Sequence, residues 1–140
     1  MVTPTEGKVC FVLVGYHFNP DDITASLELT PSRVDRAGAS SNFDKPTLSA
    51  WELALETSGG NLNLFQLANE LVDQLEPREE QILALIERFN LVPKLRMVLV
   101  LSESDDALAP QVGVDTRVLR FLSKISAFVE MDMSVVCPDK

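Results

Sequence analysis

Alternation of apolar and polar residues predicts four main strands, and the first of them is apolar on both faces. Residues 8–17 contain two alternating apolar sets, which are Val9, Phe11 and Leu13 against Cys10, Val12 and Val14. A strand that is apolar on both faces is usually central in its sheet, because neighbours cover both of its sides. We therefore place residues 8–17 in the middle of the sheet.

The later strands are more clearly two-sided. Residues 48–56 alternate between an apolar set and a set that carries Glu52 and Glu56, so one face is predicted to meet water. Residues 94–102 form a third strand, and Phe128–Val136 form the last. In the last strand, the spacing predicts that one set of side chains points inward, namely Val129, Met131, Met133 and Val135. The alternate residues, Glu130, Asp132 and Ser134, are predicted to face solvent.

Between these strands, apolar residues recur at three- and four-residue steps, as in amphipathic helices. Asn19 followed by Pro20 suits the start of a short helix. Residues 64–75 form a second helix, which Glu76-Pro77 ends or kinks before a third helix that runs to Phe89. Asp115 is the predicted cap of a fourth helix, which runs to about residue 126.

This order of elements predicts a single α+β domain over residues 1–140. Since two strands have a polar face, helices are expected on one face of the sheet, which gives a two-layer sandwich. The sheet should be mainly antiparallel or mixed, with about four to five strands, in a broadly ferredoxin-like arrangement. The alternative is a sheet covered on both faces, which would place the acidic residues of the strands under a helix.

The acidic composition of the chain argues against nucleic acid and anionic membranes as partners. The chain is 46% hydrophobic and has a formal net charge of -9, with a pI near 4.5. Nucleic acid and anionic membranes are not expected as partners, because both attract clustered Lys and Arg. The most basic helix face carries Arg117, Arg120 and Lys124, and a solvated surface is the favoured interpretation of that stripe.

Cysteine and histidine content predicts neither a metal nor a cofactor. The chain has two cysteines, no CxxC motif and one histidine, so the usual Cys/His zinc site cannot be assembled. Residues 9–15 are too few to span a bilayer, and no basic leader precedes them. We therefore expect a cytoplasmic protein in which both thiols are reduced.

The first third of the chain resembles a known family. The residues that carry the resemblance are a strand ending near Gly15, the segment Asn19-Pro20-Asp21-Asp22-Ile23-Thr24, the segment Leu27-Glu28-Leu29-Thr30-Pro31-Ser32, and then Gly38 and Trp51. They are similar to the uncharacterised bacterial domain-of-unknown-function 4279 family, and the later helix and strands agree in spacing. The resemblance supports the fold and implies no activity.

A catalytic pair is conceivable from His17 and Cys137, with the histidine as base and the thiolate as nucleophile. Parallel neighbouring first and last strands would bring the two together, whereas antiparallel strands would bring Cys137 towards Cys10. No third residue that would orient the pair is evident. A histidine at a strand end and two inert thiols is the favoured interpretation.

The predicted binding surface lies in the irregular segment after the first helix. Arg33, Arg36 and Lys45 occupy this segment, and Trp51 follows it. Loops carry function more often than cores do. Trp51 itself is expected to be mostly buried, because it shares a strand face with Leu53 and Leu55.

These observations favour a non-enzymatic binding or protein-interaction module, and a toxin-neutralising immunity protein is one version by analogy. The alternative is a small-ligand-binding protein or enzyme with a pocket near Arg33, Lys45 and Trp51, and with His17 as a base. A deep pocket would favour the ligand, and a flat apolar patch would favour a protein partner. Oligomeric state is not determined by the sequence.

Overall fold

The computed structural model describes residues 5–36, 48–58, 62–102 and 111–136. Its strands are β1 (Glu6–Tyr16), β2 (Arg33–Asp35), β3 (Leu48–Ser58), β4 (Val92–Ser102) and β5 (Phe128–Val136). Its helices are α1 (Pro20–Leu27), α2 (Leu64–Leu75), α3 (Glu79–Phe89) and α4 (Thr116–Lys124). A 3-10 turn at Glu76–Arg78 joins α2 to α3, where the proline predicted an end or a kink.

The described strands form one mixed sheet in the order β2-β3-β1-β4-β5. The strand that is apolar on both faces, β1, lies at its centre as predicted and pairs antiparallel with β3 and β4. β5 runs parallel to β4. Parallel neighbours need a crossover connection, and α4 lies in the connection between these two strands.

Helices pack on one face of the sheet, which confirms the two-layer α+β prediction. Buried residues of the helices join Val9, Phe11 and Leu13 in one core cluster. The large side chains that the cluster buries completely include Phe11, Leu13, Ile23, Trp51, Leu71, Ile82, Leu95 and Phe121. The alternate β1 residues Cys10 and Val12 are buried but do not belong to this cluster, so they face the other side.

Local signals at helix ends are also confirmed. The Asn19 side chain accepts a hydrogen bond of 3.0 Å from the backbone N–H of Asp21 at the start of α1. Asp115 accepts one of 3.1 Å from the N–H of Val118 at the start of α4. Asn90 ends α3 in left-handed geometry, with φ of 55°. Side-chain caps and a left-handed terminal residue satisfy backbone groups that the helix itself leaves unpaired.

The basic face of α4 is largely paired within the fold. Arg117 contacts Asp73 of α2 at 2.7 Å and Glu76 at 3.3 Å, and Lys124 contacts Glu79 at 3.7 Å. The hydrogen bond with Asp73 raises the pKa of Arg117 above its usual value. These ion pairs connect α4 to the helices beside it.

The prediction that one set of β5 side chains is buried in the core is wrong. Val129, Met131, Met133 and Val135 pair with residues on the helix side of β4, but their side chains remain 45–58% exposed. The physical reason is position, because β5 is an edge strand and lies beyond the helix layer that buries Leu95, Met97 and Leu99 of β4. Within the described ranges, no helix is long and apolar enough to cross a membrane.

Candidate functional site

The sheet face opposite the helices, which we call the open face, carries most of the polar chemistry of the strands. Period two places on it the even-numbered residues of β1, β3, β4 and β5, together with Arg33 and Asp35 of β2. On this face, an ion pair of 3.8 Å joins Lys8 of β1 to Glu52 of β3, and one of 3.5 Å joins Arg33 to Asp35 within β2. Cations and carboxylates therefore largely neutralise each other on this surface.

Cys10 lies at the centre of the open face and is fully buried as a free thiol. Its burial, together with the nearby carboxylate of Glu52, raises the pKa of the Cys10 thiol to about 11. The cations Lys8 and Arg96 oppose this effect without overcoming it. Since the thiolate is the nucleophilic form, a thiol with this pKa is inert at neutral pH. The prediction of an unreactive cysteine therefore has a physical basis at Cys10.

Towards β5, a second group of charges surrounds Glu130. Its carboxylate contacts Lys94 at 3.1 Å and Arg96 at 3.3 Å. Hydrogen bonds from Lys94 and then Arg96 hold the pKa of Glu130 below its usual value. Glu130 therefore remains ionised and paired at neutral pH, which leaves it unsuited to the role of a general acid.

A small depression, which we call the charged hollow, lies between β2 and β4 on the open face. Its volume is about 170 Å³, and its lining is Val12, Val14, Arg33, Asp35, Ala50, Glu52 and Arg96. The floor is apolar, and the rim carries two guanidinium and two carboxylate groups. Ligand pockets for small molecules usually measure roughly 300–1,000 Å³, so the hollow suits one side chain better than a whole ligand.

Another depression lies where β1 begins, and it is open to solvent. Its volume is about 310 Å³, and its lining includes Glu6, Lys8, Glu56, Val98 and Val100. The polar lining also includes Thr57 and Ser58, but it contains no histidine that could act as a base for their hydroxyl groups. Its lining thus provides no recognisable set of catalytic groups.

Large apolar side chains meet at the opposite end of the open face, where β1 ends. We call this group the open-face patch, and its members are Val14, Tyr16, Leu48, Val92 and Phe128. Tyr16 pairs with Leu48 and Val14 pairs with Val92, while Phe128 lies opposite Lys94, the next open-face position after Val92 on β4. The side chains of Tyr16 and Phe128 are 63% and 60% exposed. Contiguous exposed apolar surface of this kind marks interaction sites.

Trp51 is completely buried on the helix side, as its alternation predicts. Its indole N–H donates a hydrogen bond of 3.1 Å to Oγ1 of Thr24 in α1. The ring therefore supports β3 from within the core. It does not share a surface with Arg33, which lies on the open face.

The other predicted binding residues are also separated. Arg36 donates hydrogen bonds to Asp21 at 2.8 Å and to the Asn19 side chain at 3.1 Å, beside the start of α1. The first of these raises the pKa of Arg36 above its usual value. Lys45 lies outside the described residues. Among the four predicted residues, Arg33 is the one that lines the charged hollow.

His17 lies where β1 ends, exposed and in left-handed geometry with φ of 55°. With Arg36 it lines a shallow depression of about 330 Å³. Cys137 lies outside the described residues. Val136, the last described residue, pairs with Ser102 at the opposite end of the sheet from His17, because β5 runs antiparallel to β1 with β4 between them. Neither arrangement of neighbouring first and last strands occurs.

The described part of the chain contains no group of three or more His, Cys, Asp or Glu side chains arranged to hold a metal ion. The open face thus has two regions: one in which cations and carboxylates form ion pairs, and one in which apolar side chains are exposed. Such a surface can bind a complementary surface by excluding water and pairing polar groups at its rim.

Sequence reasoning missed the open-face patch. Its members come from four different strands, so they become neighbours only through strand order and register. A signal was nonetheless present, because Tyr16, Leu48 and Phe128 occupy the solvent-facing positions of their strands. Large apolar residues at such positions are a reason to look for a binding surface.

Comparison with known proteins identifies the family of this chain. No curated protein sequence and no solved structure matches it. The sequence profile of a domain of unknown function, DUF4279, matches residues 5–136, which is nearly the whole chain. This match spans every strand and helix described above, and the chain therefore belongs to the DUF4279 family.

Proposed function

We propose that the protein is a non-enzymatic binding module that captures a protein partner on the open-face patch. The observation that carries this proposal is the run of exposed apolar side chains at the end of β1, with Tyr16 and Phe128 as its most exposed members. Aromatic residues are enriched among the few that dominate binding energy at protein interfaces. A buried Tyr or Phe contributes area and rigidity with little loss of side-chain entropy.

The distribution of charge also supports the open-face patch as the binding surface. The chain as a whole carries a net charge of -9, which repels acidic molecules. Beside the open-face patch, however, the carboxylates of Asp35 and Glu130 are paired with basic side chains. A partner can therefore approach this region with little repulsion, and a basic partner would also be attracted by the rest of the acidic surface.

The charged hollow extends the surface. It shares Val14 with the patch, and Arg33 and Arg96 form part of its rim. Its volume of about 170 Å³ suits one inserted side chain of a partner. In this arrangement Arg33 would contact a polar group of the partner, while Trp51 would hold β3 in place from the core.

A toxin-neutralising immunity function is the most specific version of the proposal. An acidic module that covers a basic active protein would match both the net charge and the exposed patch. The competing function is binding or conversion of a small ligand in the charged hollow. Its small volume and the absence of Ser, Thr, Cys, Lys and His from its lining residues favour the protein partner.

The test is recovery of a partner from the native cell with tagged protein, quantified by mass spectrometry. Tyr16→Ala and Phe128→Ala should each reduce recovery of the same partner by about tenfold or more, as expected for residues that dominate an interface. Leu119→Ala is the matched control, because Leu119 is an apolar residue on α4 whose side chain is half exposed.

Retention of the partner by both patch variants, with loss in the Leu119 control, would contradict the proposal. Arg33→Ala separates the two candidate functions. If it abolishes binding of a small molecule found in the purified protein while the patch variants bind normally, the ligand function is correct. Circular dichroism and thermal unfolding should show that all variants remain folded.

A further inference from the structure

The outer edge of β5 lacks most of the features that usually protect an edge strand, and its charged side chains are the two carboxylates Glu130 and Asp132. No described residue pairs with this edge, which extends over the nine residues Phe128–Val136. The strand contains no Pro, Gly, Lys or Arg. Natural sheets avoid edge-to-edge pairing with short edge strands, basic side chains, proline or bulges.

The opposite edge of the sheet, strand β2, is protected against pairing with another strand. β2 is three residues long, and its open-face side chains include the basic residue Arg33, whereas β5 has no basic residue. Pro31 precedes it and cannot donate a backbone hydrogen bond. The contrast shows that β5 differs from the protected edge in length and in composition.

Exposed apolar side chains accompany the unprotected edge of β5. Val129, Met131, Met133 and Val135 lie on the helix side of the sheet, where they remain about half exposed. Their neighbours on β4, such as Met97, are buried under the helix layer. The helix-side surface of β5 is thus an uncovered continuation of the core.

We propose that β5 pairs antiparallel with β5 of a second copy of the chain, so that two sheets join across a two-fold axis near Met133. A two-fold axis normal to the sheet makes the two edge strands antiparallel and keeps each face on its own side. It also leaves both open faces on the same side of the dimer. The proposal is independent of the function proposed for the open-face patch.

The positions of the carboxylates select this register. An axis at Asp132 would place that carboxylate opposite itself, and an axis at Met131 would place Glu130 opposite Asp132 of the second copy. Like charges directly opposite each other destabilise a strand pair. An axis at Met133 places Asp132 opposite Ser134 and Met131 opposite Val135, and it keeps seven described residues of each strand in the pair.

The area available fits a weak dimer. From Val129 to Val136, the five apolar side chains leave roughly 400 Å² uncovered on each copy, given the sizes of Val and Met. Edge pairing would cover the flanks of these side chains and the paired backbones, so the two copies would bury less than about 1,000 Å², which is the range of weak interfaces. Main-chain hydrogen bonds along the added strand supply the rest of the affinity.

Charge makes the dimer sensitive to salt. Each copy carries a net charge of -9, so the copies repel each other at low ionic strength. At the edge itself, Glu130 is neutralised by Lys94 and Arg96. Added salt screens the remaining repulsion, and the dissociation constant of the dimer should fall as salt is raised.

Sedimentation of the full chain tests the assembly. From about 1 µM to about 500 µM, the mass should rise from the 15.5 kDa of one chain towards twice that value. Met133→Lys places two ammonium groups opposite each other and should raise the dissociation constant at least about tenfold. Leu119→Lys is the matched control, since it adds the same charge at an exposed apolar residue of α4 and should leave the dimer intact.

Cross-linking tests the register. In a Cys137→Ser background, Met133→Cys should form a disulfide-linked dimer on mild oxidation, because directly opposite residues have Cα atoms about 4.5–5.5 Å apart. Met131→Cys is the control and should not cross-link, because its two copies lie about four residues, or roughly 13 Å, apart along the strands. The buried native Cys10 should remain reduced in both variants.

A chain that remains monomeric at about 500 µM in high salt overturns the proposal. It is equally overturned if Met133→Lys remains dimeric, or if Met131→Cys cross-links as efficiently as Met133→Cys. If the Met133→Lys variant is recovered unfolded, the cross-linking pair decides, because those substitutions are smaller and lie at exposed positions.

Discussion

The helix side of the sheet and its open face are built from the same strands but have different surroundings. On the helix side, Phe11, Leu13 and Trp51 are completely buried in the core cluster. On the open face, Cys10 and Val12 are buried near the centre, while Tyr16 and other large apolar residues remain exposed at one end. The helix side thus contributes mainly to stability, and the open face is available for binding.

Apolar content alone therefore does not decide which face of a strand joins the core. Both alternating sets of β1 are apolar, yet only one joins the helices in the core cluster. On the other face, long charged side chains such as Lys8 and Arg96 surround the apolar residues and pair with carboxylates. Substitutions on the two faces should therefore differ in how much they reduce the free energy of unfolding.

Trp51→Ala should be the most destabilising of these changes. It removes a completely buried ring and its hydrogen bond to Thr24, so the free energy of unfolding should fall by about 3–5 kcal/mol. Urea unfolding followed by circular dichroism measures the loss. A change below about 1 kcal/mol would show that the ring does not contribute to the core as the structure indicates.

Gly7→Val tests the tight packing of the helix side. A Cβ atom at Gly7 would lie 2.8 Å from Cδ2 of Leu64 and 2.9 Å from both Cδ atoms of Leu62, so both buried leucines must move. We expect a loss of about 1–3 kcal/mol in urea unfolding. Ser58→Val is the control, because it introduces valine at an exposed position of the open face. It should reduce the free energy of unfolding by less than about 0.5 kcal/mol. Equal losses in the two variants would contradict the comparison.

The buried thiol of Cys10 should make stability depend on pH. Its pKa is raised from 9.0 to about 11 in the folded state, so the unfolded chain ionises first. The stabilisation is fully present below pH 9 and is lost as the pH rises towards 11. Between about pH 8 and pH 10 the loss should be roughly 1 kcal/mol.

The measurement is urea unfolding across this pH range, with Cys10→Ala as the reference that lacks the thiol. The wild-type chain should lose more stability than the variant as the pH rises. Parallel pH profiles would show that the thiol is not desolvated. Native Cys10 should also react slowly with iodoacetamide at neutral pH, since little thiolate is present.

Tyr16→Ala should have the smallest effect on stability. The side chain is 63% exposed, and its removal should cost about 0.5 kcal/mol or less. The same variant should lose partner binding if the proposed function is correct. A loss comparable to that of Trp51→Ala would show that Tyr16 belongs to the core.

Much of the local structure could be predicted from the sequence. The central place of β1, the caps Asn19 and Asp115, and the break at Pro77 follow from short-range patterns, and the structure confirms them. These signals depend on neighbouring residues or on one strand at a time. The burial of Trp51 also followed from alternation within its own strand.

The predicted binding surface could not be judged from the sequence, because it depends on which residues meet in space. Arg33 lies on the open face, Arg36 lies beside α1, and Trp51 lies in the core. The predicted inward set of β5 was wrong for a similar reason. Alternation assigned its residues to the helix side, but no alternation shows how far a helix layer extends.

The sequence alone predicts the four longer strands, the four helices, the caps at Asn19 and Asp115, the α+β class and the acidic charge, whereas the position of the short strand β2 comes from the structure. The strand order, the edge position of β5 and the placement of Tyr16, Leu48 and Phe128 on one sheet face depend on the tertiary structure. The reason is the range of the interactions. Periodicity and capping act within a few residues, whereas strand pairing and helix coverage join residues that are far apart in the chain.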